Sequence, residues 1–65
     1  MSMHSNHIYN LLSQLVEDHR SMYRIQDFYQ KDAGDCEDCQ TFWKKMMKEK
    51  EDHIAELTEL VKKHL

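Results

Sequence analysis

Sixty-five residues, a formal net charge of −3, no proline and a single glycine bound the possibilities before any motif is read. A chain this short forms one domain at most and rarely buries enough surface to stand without a staple, a metal or a partner chain. Its wealth of Leu, Glu, Lys, Met and Gln excludes a strand-and-turn architecture and makes all-α the expected class. The acidic balance speaks against nucleic acid as a partner, because the lysine cluster Lys44, Lys45, Lys48 and Lys50 sits among acids.

The opening stretch MSMHSNHIYNLL has neither the basic head nor the apolar run of about seven residues that a secretory signal needs. No segment approaches the roughly 18 apolar residues of a membrane span. The expectation is a soluble, cytoplasmic chain, intact from Met1, with His4 and His7 in a frayed end. Helix 1 is expected over about residues 6–32, capped by Ser5 or Asn6. Its apolar residues Ile8, Leu11, Leu12, Leu15, Val16, Met22, Tyr23, Ile25, Phe28 and Tyr29 recur with helical period. The joint, residues 33–35, contains Gly34, which can end a helix in the left-handed conformation, and Asp35, which can cap the next. Helix 2, about 36–64, carries Glu37 and Asp38 in its first turn and Lys62, Lys63 and His64 in its last, as the macrodipole prefers.

A joint this short sets the two helices antiparallel. Two helices of about 27 residues form a rod of roughly 40 Å with one internal seam, which leaves half of each apolar stripe wet. On helix 2 the arc of Trp43, Met46, Met47, Ile54, Leu57, Leu60 and Val61 is too wide for a narrow stripe. The expected architecture is therefore an antiparallel two-helix hairpin that dimerises into a four-helix bundle. A larger homo-oligomer of the same hairpin is the alternative. Met3, Met22, Met46 and Met47 with Trp43 are expected to fill the core around the joint.

Folding about Gly34 and Asp35 sets Leu15 against Ile54, Leu12 against Leu57 and Ile8 against Val61. The same operation brings His19 opposite Glu49, Lys50 and His53 at mid-height, with both histidines expected to point inward. Glu49 and Glu56 lie one helical turn from His53 on either side, so each can share a site with its imidazole. A dimer whose waists coincide would gather two copies of each, and bundles build metal sites in this way. The candidate metal ligands are His19, Glu49, His53 and Glu56. The plainer reading of the same residues is a polar contact that fixes register, or one sensitive to pH. A nitrogen-rich set favours a first-row ion such as Fe or Zn over Mg or Ca.

The stretch FWKKMMKEKEDHIAELTELVKKHL, residues 42–65, resembles the metal-bearing second helix of rubrerythrin or ferritin-like half-bundles. There an apolar run precedes a Glu and His pair, and short two-helix members complete their bundle by dimerising. The resemblance covers about a third of the chain and implies a di-iron carboxylate centre with oxidase, peroxidase or iron-storage chemistry. The family's Glu-x-x-His has its glutamate three residues before the histidine; here that position is Lys50, flanked by Glu49 and Glu51, and helix 1 offers His19 where the family has a glutamate.

Cys36 and Cys39 form one C-x-x-C at the first turn of helix 2, where free N–H groups and the dipole favour a thiolate while Asp35, Glu37 and Asp38 oppose it. No strand precedes the motif, so the thioredoxin arrangement is not expected. The alternatives are reduced thiols that pack the joint, a reversible disulfide, or a second metal site, for which zinc would need two such pairs. Taken together the residues point to a small, non-catalytic module that acts by self-association. A ferritin-like metal-binding bundle is the alternative.

Overall fold

Nothing in this sequence interrupts a helix except its glycine, and the chain is helical on both sides of it. The computed structural model describes the backbone of residues 3–65 and the side chains of residues 6–65. Helix α1 spans Met3–Arg24 and continues through a π-helical turn, Ile25–Tyr29, into α2, Gln30–Ala33; α3 spans Glu37–His64. The protein is all-α, with no strand among the described residues. Among the described residues no helix is long and apolar enough to cross a membrane. The chain is already helical at Ser5 and Asn6, so neither is a cap, and His7 lies within α1 rather than in a frayed end. The parts expected of the Met3 and His4 side chains lie outside the described residues.

The joint is tighter than a left-handed helix end. Gly34 has φ 57° and ψ −122°, the first-corner geometry of a type II′ turn, and the Cys36 N–H closes that turn on the Ala33 carbonyl at 3.1 Å. Only glycine adopts this conformation without strain. A Cβ built at Gly34 meets no atom within 4 Å, so Gly34→Ala isolates the backbone cost. The expected loss is about 1–2 kcal/mol, read as a lowered thermal midpoint by circular dichroism.

The arms lie side by side and run in opposite directions. At the open end the His7 and His64 rings meet edge to face, 5.0 Å between centroids; near the closed end Gln40 Nε2 donates to the Gln30 carbonyl at 2.6 Å. Between them, Ile8, Leu11, Leu15, Asp18, Met22 and Ile25 of the first arm are buried or half-buried. On α3 the matching set is Gln40, Trp43, Met47, Lys50, Ile54, Leu57, Val61 and His64. Both sets step by three and four in alternation, the narrow seam of a coiled coil.

The π turn, closed by the Gln30 N–H on the Ile25 carbonyl, inserts one residue into that rhythm. The seam therefore resumes at Gln30 and Ala33, and Asp32 is turned out to solvent. Tyr29, displaced from the seam, lays its ring 4.9 Å from that of Trp43.

The molecule measures 49 × 18 × 13 Å, and its least dimension is about that of a single helix. A single layer has no second layer to cover its faces. Among the described residues the buried apolar side chains are Ile25, at 0 % exposure, and Val61, at 8 %. The single apolar face expected on helix 1 is in fact two rows. One is the seam; beside it Tyr9, Leu12, Val16 and Tyr23 remain 42–65 % exposed. Leu12 and Phe28, expected on the buried face, are on the surface.

Candidate functional site

Two places concentrate polar chemistry: the joint and the waist. At the joint, Cys36 rather than Asp35 caps α3. It has extended backbone (φ −74°, ψ 101°), which turns its side chain over the first helical turn, and its Sγ accepts the Cys39 N–H at 3.3 Å. Cys39, three residues on, emerges on the same side with its sulfur 2.7 Å from that of Cys36. Both thiols are free and exposed. With Cys36 ionised, the Cys39 S–H and then the Cys39 N–H donate to its sulfur and hold its pKa below the ordinary thiol value. The same sulfur–sulfur contact raises the Cys39 thiol, with burial and the nearby charges of Cys36 and Asp38 acting in the same direction.

Gln40 stabilises this corner from the seam. Its Nε2 donates to the carbonyls of Gln30 and Gly34, at 2.6 and 3.1 Å, and so supplies partners for carbonyls left over where the first arm ends. Gln40→Leu keeps the volume and removes both bonds, and the half-buried Gln30 carbonyl loses its partner. An expected loss of about 1–2 kcal/mol in denaturant unfolding follows. The sequence carried one signal for this role, the place of Gln40 on the three-four spacing of α3.

At the waist the inward residues are not the histidines. Asp18, 3 % exposed, accepts on Oδ1 from Lys50 Nζ at 3.2 Å and from Gln14 Nε2 at 3.0 Å. His19 and His53 are both exposed, and they lie on opposite faces. His19 borders a groove with Met22, Tyr23, Gln26 and Glu51, whereas His53 and Glu56 border another with Gln14, Asp18 and Leu60. Glu49 is exposed on the same row of α3 as His53 and Glu56, spaced by four and three. The physical reason is the seam spacing: it runs through positions 18 and 50, so residue 19 is rotated about 100° to one side and residues 49, 53 and 56 to the other. Among the described residues no three His, Cys, Asp or Glu side chains come close enough together to hold a metal ion.

No family model, curated protein or solved structure matches this chain. What the chain can do rests on its own geometry. That geometry provides an uncovered apolar row on α1, a buried ion pair in the seam, and a contacting dithiol whose second sulfur borders a groove with Tyr29, Asp32, Ala33 and Trp43.

Proposed function

We propose that this chain is a self-associating helical hairpin, a homodimeric interaction module whose two copies pair through the outer row of α1 to make a four-helix assembly. The observation that carries the reading is the uncovered row Tyr9, Leu12, Val16 and Tyr23. Its spacing of three, four and seven runs beside the seam for about four turns, roughly 20 Å. Area supports a second copy as the occupant. The accessible surface is 5141 Å², against about 4,400 Å² for a compact monomer of 7.9 kDa. The excess is on the order of 700 Å², close to the ~800 Å² that each partner contributes to a standard interface.

The row also fits itself. Val16 stands seven residues from Tyr9 and seven from Tyr23. In an antiparallel two-fold pairing Val16 meets its own copy on the axis, and Tyr9 meets the partner's Tyr23 at each end. A parallel pairing would set Arg20 beside the partner's Arg20 and Asp27 beside the partner's Asp27, which is unfavourable. Sedimentation velocity of the full chain at low micromolar concentration tests the reading. Twice the chain mass is expected, and a compact, cooperatively melting single chain would overturn it. In a ferritin-like reading one protomer supplies His19 from one face and Glu49, His53 and Glu56 from the other, so only contact between copies could unite them. Stoichiometric iron or zinc on the dimer, lost in His53→Ala, would favour that reading instead.

A further inference from the structure

Cys36 and Cys39 take no part in the pairing of α1, and they are the nucleophilic side chains that the fold holds in contact. Three features of the chain produce this. The type II′ turn at Gly34 delivers Cys36 to the N-cap, the cap geometry folds its sulfur over the first turn, and the i, i+3 spacing places the Cys39 sulfur 2.7 Å away. A cap is ordinarily an oxygen that accepts an N–H. A thiol sulfur accepts weakly and a thiolate strongly, so the Cys39 N–H on the Cys36 sulfur, joined by the Cys39 S–H once Cys36 has given up its own proton, favours the ionised Cys36 over the neutral one. The Asp38 backbone N–H adds to this effect at Cys36, while the Asp38 carboxylate raises the Cys39 thiol. The result is an asymmetric pair: an exposed, activated Cys36, and a Cys39 that keeps its proton until needed.

We infer that Cys36 and Cys39 form a redox-active dithiol that reduces disulfides by thiol–disulfide exchange, with Cys36 attacking and Cys39 resolving. The Cys36 thiolate, its proton released to water, attacks one sulfur of a disulfide R–S–S–R. That S–S bond breaks, one R–S⁻ leaves and takes up a proton, and a mixed disulfide remains on Cys36. Cys39 then loses its proton and attacks the Cys36 sulfur, and the second R–S⁻ leaves and is protonated. The chain has lost two electrons and two protons to form the Cys36–Cys39 bond, and the substrate has gained them as two thiols. Exchange of this kind needs an attacking thiolate with access and a second thiol within reach, and both conditions are met at this corner. Neither depends on how, or whether, two copies of the chain pair.

Oxidised glutathione added anaerobically to the reduced full-length protein tests the inference by intact mass. The wild type should lose two hydrogens, release two glutathione thiols per chain and retain no glutathione. Cys39→Ser should retain one glutathione, on Cys36. Cys36→Ser should react about tenfold more slowly or less, because the thiol that remains lacks the donors. Serine is itself a good N-cap, so Cys36→Ser keeps α3 intact, which its far-ultraviolet circular dichroism checks. Equal rates for the two single variants, glutathione persisting on the wild type, or oxidation that yields only chain-to-chain disulfides would each overturn the inference. A parallel arm with insulin assigns the source: reduction of both substrates includes protein disulfides, and reduction of glutathione alone confines the activity to small ones.

Discussion

Lys50→Met should lower the stability of this protein by about 2–4 kcal/mol, a fall of roughly 10–25 °C in Tm for a chain of this size, while Asp18→Leu should cost much less or nothing. The asymmetry follows from where the two charges sit. The Asp18 carboxylate is buried and has two donors, Lys50 Nζ and Gln14 Nε2. Removing the ammonium leaves that charge inside with an amide alone, the costly half of breaking a buried pair. The Lys50 side chain is 27 % exposed. Freed of Asp18, it can extend its head to water while its methylenes stay on the seam. In Asp18→Leu/Lys50→Leu the waist of the seam becomes apolar, and the double variant should melt above the wild type. It should also lose uniqueness, since a seam without its one polar pair tolerates other registers and oligomer sizes. Thermal melts at one fixed chain concentration, with amide NMR peak counts for heterogeneity, complete the cycle. A double variant as unstable as Lys50→Met would show that the pair contributes net stability rather than register.

The same pair explains how much was legible beforehand. Helix, joint and helix followed from composition and from Gly34, and the expected pairing of mid-helix 1 with the region of Lys50 is the one that the Asp18–Lys50 contact makes. The inward residue at that height was missed because the apolar residues of the first arm form two adjacent rows. Leu11 and Leu12, Leu15 and Val16, and Met22 and Tyr23 are neighbours in sequence, so periodicity alone does not say which row is buried. His19 falls on the outer row and Asp18 on the inner one, and a single-face reading prefers histidine to aspartate inside. Strict three-four spacing from Ile8 to Ile25 separates the two rows, at the price of accepting a carboxylate in the seam. The cap was missed for a different reason: Asp35 is the better capping residue by preference, but the type II′ turn needs a residue after Gly34 to complete its corner, and this moves the helix start on to Cys36. The π turn has no composition signal of its own. It is visible only as the slip that puts Gln30 and Ala33, rather than Tyr29 and Asp32, toward α3.

Val16→Asp should convert the dimer to a monomer at low micromolar concentration and weaken association at least ~100-fold, about 3 kcal/mol. The expected size rests on symmetry. A residue on the two-fold axis meets its own copy, so one substitution places two carboxylates face to face at the centre of the apolar row, where water is excluded and like charges repel. The seam residues Leu15 and Met22 are on a different face of α1 and keep their contacts with α3. Any loss of helicity in Val16→Asp therefore reports how far the single layer depends on its partner, and circular dichroism at rising chain concentration separates that loss from direct damage. The complementary variant is Val16→Cys in a Cys36→Ser/Cys39→Ser background. A disulfide needs its two Cα atoms about 4.4–6.8 Å apart, which a residue at the crossing point of two packed helices can approach. Oxidation should link Val16→Cys dimers quickly and Leu12→Cys dimers slowly, because in the antiparallel arrangement Leu12 falls level with the partner's Arg20 and not its own copy. Equal cross-linking at positions 12 and 16 would require parallel copies, with Arg20 and Asp27 brought beside their like-charged equivalents. An unchanged sedimentation coefficient in Val16→Asp would remove the α1 row from the interface altogether.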